Sequence, residues 1–254
     1  MLTVLSPAKS LKPVPAPRPA TAPRLTDATD ALLPILRGLG ADDIAALMRL
    51  SPKLAQLNRD RYRDWEAAPT HPAAFLFAGD TYVGLEARTL SDDALRHAQG
   101  HLRILSGLYG LLRPLDAIRP YRLEMGTRLA NPRGRDLYAF WGTRIAEALN
   151  ADAEAAGTGW VLNCASVEYF GAVDRDALRP GVITPTFLED RPGGPKVVSF
   201  HAKRARGAMA RFVAEHRITD PADLRGFDAG GYAWQDSPAA APVFLRRTEA
   251  AEAA

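Results

Sequence analysis

Apolar and polar positions along this chain fall into short segments of two different periods, punctuated by proline and glycine. Residues 2–5, LTVL, are a brief apolar run that ends at Ser6-Pro7, where the proline holds Ser6 extended, so a strand is predicted there. The stretch 13–23, PVPAPRPATAP, suits neither a helix nor an inner strand and is predicted as an extended surface loop. Helical spacing follows over 27–37, 42–49 and 52–65; the last has Ser51 as N-cap, Pro52 in its first turn, and Leu54 and Leu57 on one side. Residues 73–80, AAFLFAGD, read as a buried strand ending in a turn. Ser91 with Asp92 and Asp93 opens a helix that runs through His101. A helix over 136–149 carries an apolar stripe of Leu137, Phe140, Trp141, Ile145 and Leu149 despite Gly142. Strands are predicted at 160–166, 181–189 and 195–200. A helix over 201–217 then turns Ala205, Ala208, Met209, Phe212 and Val213 inward, and VFLRR near the end is a last strand.

The elements mix irregularly, with no internal repeat and no regular β-α-β alternation. That order predicts an α+β fold, a single mixed domain over residues 1–247 with a flexible C-terminal tail at 248–254. A chain of 254 residues that is 47% hydrophobic is long enough to bury one substantial core. No run approaches the roughly 20 apolar residues of a membrane span, and the start reads as a strand and not a secretory leader. A cytoplasmic protein is expected, with no membrane partner.

Cys164 is the only cysteine, which excludes an internal disulfide and any cysteine cage for zinc or an iron-sulfur cluster. His97 and His101, four apart, are without a third ligand nearby. No metal and no cofactor are expected.

Charge is concentrated. Between Arg103 and Arg135 there are seven arginines against Asp116 and Glu124; between Lys203 and Arg217 there are five cations against Glu215. Lys9 and Lys203 stand out among only five lysines, because both lie beside turns.

Several large enzyme classes are excluded by the motifs that are missing: there is no G-x-x-x-x-G-K-[ST] loop, no G-x-G-x-x-G and no G-x-S-x-G. Two constellations remain. In LSGLYGLLRPLDAIRPYR, Gly107 and Gly110 let the backbone turn closely, leucines hold the turn against a core, and Arg113, Arg119 and Arg122 can reach phosphates. The layout resembles a helix-hairpin-helix, although its glycines are one residue further apart than usual; a purely structural hairpin reads equally well. In NCASVEYF, Asn163, Ser166, Glu168 and Tyr169 gather an amide, a hydroxyl, a carboxylate and a phenol at a strand-to-helix turn, where Ser166 serves equally as an N-cap. Lys9, arriving from another strand end, would complete an acid/base pair with Glu168.

Together LSPAKS, GLYGLLRPLDAIRPYRLEMG, DLYAFW, NCASVEY and FHAKRARGAMARF resemble the YaaA family of bacterial peroxide-stress proteins, from Met1 to about Arg247. The resemblance implies a family-specific α+β fold with a helix-hairpin-helix-like element beside a basic cleft. It also implies a role in surviving hydrogen peroxide by limiting free iron and the DNA damage that iron drives, with sequence-independent binding of duplex or branched DNA. On this reading Gly107, Gly110, Arg113, Arg119, Arg122, Lys203 and Arg206 bind DNA, and Ser6, Asn163, Ser166 and Tyr169 line the cleft. The alternative is an enzyme acting on a nucleotide, nucleic acid or other anion, with Lys9 and Glu168 as acid/base groups. A chelator would need clustered ligands that the sequence does not offer, so no tight iron site is expected.

Overall fold

The structure, a computed structural model, describes residues 1–247; the predicted tail lies outside the described residues. Strand β1 (Leu2–Leu5) leads through a tight bend to the short strand β2 (Ser10–Leu11). The proline-rich segment then runs without helix or strand, pinned where Thr21 Oγ1 donates to Asp116 Oδ1 at 2.7 Å. Helices α1 (Thr26–Arg37), α2 (Ala41–Met48) and α3 (Pro52–Arg63) follow where the spacing predicts them. On α3 the buried side carries Ala55, Asn58 and Tyr62 while Leu54 and Leu57 face solvent. The aromatic ring of Tyr62 removes more area from water than either leucine would and decides the inner face.

The strand predicted at 73–80 is replaced by shorter pieces. After β3 (His71–Pro72) come one turn of helix α4 (Ala73–Leu76), the strand β4 (Phe77–Ala78) paired with β2, and helix α5 (Asp80–Leu85). Helix α6 (Asp92–His101) begins as predicted, with Ser91 Oγ accepting from the Ala94 N–H at 3.1 Å. The chain continues through β5 (Leu102–Ser106), β6 (Gly110–Leu112) and β7 (Ala117–Ile118), then an irregular stretch to α7 (Leu137–Trp141) and α8 (Arg144–Ala155). One helix was predicted over the last two; Gly142, at φ 48°, breaks it. Then follow β8 (Trp160–Asn163), α9 (Val167–Phe170), β9 (Gly181–Ile183), β10 (Thr186–Glu189), α10 (Ser199–His216), β11 (Tyr232–Trp234) and β12 (Val243–Arg246). No strand forms at 195–200: Lys196 makes one isolated bridge to Glu189 and α10 starts at Ser199.

Five strands form the main sheet in the order β6-β5-β1-β8-β9. β1 is parallel to both neighbours, β8 is parallel to β9, and only β6 runs against its partner. All four residues of β1 are buried, as a central strand covered on both faces requires. From β1 the chain moves to one side to make β5 and then to the other to make β8, so the crossovers reverse direction at β1. A smaller sheet, β10-β12-β11, stacks Phe187 and Phe244 against Phe227 and Tyr232. Helix α10 packs against β1, α5 and α6 and reaches β10, joining the two sheets. One hydrophobic cluster extends from Met1 to Phe244, giving the mixed α and β domain expected of the sequence.

The predicted helix-hairpin-helix is a hairpin of strands. β5 and β6 pair antiparallel with Ser106 opposite Gly110, and Gly107, Leu108 and Tyr109 form the turn. Both glycines are buried. A Cβ on Gly107 would lie 2.4 Å from Leu123 O, and one on Gly110, at φ 68°, would lie 2.5 Å from the Trp141 ring. They are glycines because protein packs directly on them, not because a phosphate does.

Candidate functional site

The carboxyl ends of β1 and β8 lie side by side where the crossovers reverse, the position at which open parallel sheets leave a crevice. Pro7 and the bend after it turn the chain away from β1, and Cys164-Ala165-Ser166 turns it away from β8. Ser6 Oγ joins the two turns: it accepts from the Ser166 N–H at 2.9 Å and donates to Ser166 Oγ at 3.3 Å. Ser166 is also the N-cap of α9, accepting from the Tyr169 N–H at 3.4 Å. Above this seam opens a cavity of about 400 Å³.

Helix α10 supplies one wall. It crosses α5 at an unusually close approach, made possible by two glycines: a Cβ on Gly207 would sit 1.8 Å from Thr81 O, and one on Gly84 2.0 Å from Arg204 O. The crossing holds Lys203 and Arg206 at the cavity, and among the described residues neither has a carboxylate partner. Asp80 and Thr81, at the start of α5, line the same side.

The segment 121–124 supplies another part of the lining. The Tyr62 hydroxyl donates to Arg122 O and fixes its backbone. The Arg122 guanidinium holds Glu124 Oε1 at 2.7 Å, and Lys9 Nζ lies 2.7 Å from Glu124 Oε2. Burial alone would raise the Glu124 pKa, but the hydrogen bonds from Lys9 and Arg122 outweigh it and hold this carboxyl below its usual range. Glu168 contributes a third carboxylate, its Oε1 accepting from the Gly126 N–H at 2.9 Å.

Tyr121, Tyr169 and Cys164 complete the lining, and Tyr82 lies next to it. The Tyr82 hydroxyl donates to Ser6 O at 3.1 Å, and Tyr121 shares a 2.6 Å hydrogen bond with Ser106 Oγ. Burial pushes the pKa values of Tyr82, Tyr121 and Tyr169 upward, so these hydroxyls stay protonated. Cys164 is pushed up to about 12 by burial, against a small opposing influence from Arg206. It is a neutral thiol, a poor nucleophile.

Of the residues singled out from sequence, Ser6, Lys9, Arg122, Ser166, Glu168, Tyr169, Lys203 and Arg206 do meet in this cavity. Others do not. Lys9 pairs with Glu124 and not with Glu168, since its long side chain reaches the carboxylate already held by Arg122. Asn163 is buried below the lining, where its side chain accepts from the Ala165 N–H and donates to Thr184, shaping the turn. Gly107 and Gly110 are in the core. Arg113 is tied to the buried Asp116 at 2.9 Å and donates to Ala22 O, and Arg119 lies over the Trp65 ring at 5.8 Å. Neither Arg113 nor Arg119 lines the cavity. Sequence reasoning missed Asp80, Tyr121 and Glu124. The signal for Glu124 was its place two residues after Arg122, which puts both side chains on one side of an extended segment.

A family description reading "Peroxide stress protein YaaA" matches residues 1–237. The chain belongs to the YaaA family of peroxide stress proteins. Among similar curated proteins, a UPF0246 protein of Cereibacter sphaeroides (strain ATCC 17029 / ATH 2.4.9) is 60% identical over 255 residues, covering 97% of this chain and 99% of that one. A UPF0246 protein of Jannaschia sp. (strain CCS1) is 55% identical over 258 residues and covers 100% of both chains. Another, from Ruegeria pomeroyi, is 53% identical over 252 residues, covering 97% of this chain and 98% of its own. The match supports the general peroxide-stress role of that family. No helix of the described residues is long and apolar enough to cross a membrane, and among them no group of three or more His, Cys, Asp or Glu is arranged to hold a metal ion.

Proposed function

We propose that this YaaA-family protein acts in peroxide stress by binding a small anion of nucleotide size in the cavity at the ends of β1 and β8. The observation that carries this reading is the pair Lys203 and Arg206, two cations with no acidic partner among the described residues, lining with Ser6 and Ser166 a cavity of about 400 Å³. A guanidinium and an ammonium with free donors are matched to a phosphate or carboxylate, and the nearby Ser6 and Ser166 hydroxyls add neutral hydrogen-bonding groups. A duplex is wider than such a cavity, so DNA held here would offer one terminal or extruded nucleotide. If chemistry follows binding, the acid/base role falls to Glu168, whose second carboxylate oxygen accepts no hydrogen bond among the described residues; Lys9 acts by charge beside Glu124.

Calorimetric titration of nucleoside phosphates and inorganic phosphate against the wild type and Arg206→Ala tests this reading. Binding that weakens by on the order of tenfold or more in the variant is expected, since a charge-assisted hydrogen bond is lost. Equal affinity in both proteins contradicts it.

A second reading has its own observation. Arg128, Lys203 and Arg204 are exposed and without carboxylate partners among the described residues, a distribution suited to sequence-independent contact with DNA phosphates. In that reading the protein limits iron-driven damage by covering DNA and not by holding iron. Affinity for duplex DNA would then fall linearly with the logarithm of salt concentration, and an affinity indifferent to salt would remove this reading.

A further inference from the structure

The cavity has two cationic places, and only one is paired with a carboxylate. On α10, Lys203 and Arg206 have no carboxylate partner among the described residues, whereas Lys9 and Arg122 are both turned onto Glu124. We infer that Glu124 is an internal stand-in for a second anionic group, so that the ligand of this cavity carries two separated anions, one of which displaces Glu124 from Lys9 and Arg122. This inference rests on the anion-binding reading above and refines it to a class: bisphosphates, phosphocarboxylates or dicarboxylates.

Three features separate this ion pair from the structural ones. The Lys9 side chain is 66% exposed, and an ion pair so open to solvent on its cationic side is weak enough for a doubly charged phosphate to compete. By contrast the carboxylates Asp116 and Asp152, at 0% and 7% exposure, are buried and do not line the cavity. The Arg122 backbone is held independently of Glu124, because the Tyr62 hydroxyl donates to its carbonyl, so the residue stays at the cavity when the carboxylate leaves. Finally, Lys9 and Glu124 come from segments far apart in sequence, after β1 and within 121–124, and both line the cavity, so an anion that displaces the carboxylate replaces a bridge already there.

Titration of the wild type, Glu124→Gln and Lys9→Ala with alkyl monophosphates and with α,ω-alkanediol bisphosphates of increasing length tests the inference. Wild type should prefer a bisphosphate of one length over the matching monophosphate. Glu124→Gln, which keeps the shape and removes the charge, should strengthen that bisphosphate on the order of tenfold and leave the monophosphate within about twofold. Lys9→Ala should weaken the bisphosphate alone. A Glu124→Gln protein that binds the bisphosphate more weakly, or strengthens both probes equally, overturns the inference, since Glu124 would then be a prop for Arg122 or a diffuse charge. If monophosphate binding survives and depends on Arg206 while Glu124→Gln has no effect, only the inference fails; if the wild type binds neither probe, the anion-binding reading fails with it.

Discussion

Cys164 shows how a residue's chemistry is decided by its surroundings. In a family associated with peroxide, a lone cysteine invites a redox role, but the thiolate is the species that reacts and this thiol is pushed from its ordinary 9.0 up to about 12 by burial. Native protein at neutral pH should therefore resist a thiol reagent that labels the unfolded chain stoichiometrically; rapid labelling of folded protein would contradict this. The same shift has a consequence for stability. Between pH 9 and about 12 the unfolded thiol loses its proton while the folded one keeps it, so stability falls as pH rises through that window. Urea midpoints should decline there, and less steeply at its lower end in Cys164→Ala. At this scale the sequence offered candidate residues but not their partners. Asp152, buried between Arg24 and Arg103, lies 128 and 49 positions from them, and no local pattern announces such a triad.

Elements were legible where a capping residue and a helical period agreed. Ser91 and Ser51 mark helix starts that the structure keeps, and β1, β8 and β12 appear where the apolar runs are. Short apolar runs misled, because periodicity alone cannot separate a strand from one turn of buried helix: 73–80 divides among α4, β4 and α5. The glycine hairpin misled for a different reason. Glycines that let a ligand approach and glycines that let the protein pack on itself look alike in sequence, and at Gly107 and Gly110 the neighbours are Leu123 and Trp141. The glycines that let α10 come up to the cavity lie elsewhere, at the crossing of α5 and α10. Replacing Gly207 with alanine puts a methyl 1.8 Å from Thr81 O, a backbone atom that cannot turn aside, so the helices must separate. A cost of about 1–3 kcal/mol is expected, together with loss of anion affinity well beyond that of a surface alanine such as one at Arg88, because Lys203 and Arg206 ride on α10. Unchanged melting and unchanged binding in Gly207→Ala would show that the crossing does not position the site.

On the scale of the whole molecule, strand order is what turns scattered residues into a site. Ser6, Arg122, Ser166 and Arg206 are far apart in sequence, and they converge because β1 lies between β5 and β8 with the crossovers reversing beside it. That order could not be read from composition or local period, which is why the sequence located both basic zones yet misjudged which of their arginines face a common space. Arg113 and Arg119 belong to the same run as Arg122, but Asp116 and Trp65 occupy them. The central claim, that Lys203 and Arg206 form a vacant anion site over the serine seam, is tested most directly by a crystal structure of the protein with a bound nucleoside phosphate. A phosphate with its oxygens about 3 Å from Lys203 Nζ and the Arg206 guanidinium is predicted; a phosphate seated on Arg113 or Arg119, with the cavity holding only water, would contradict it.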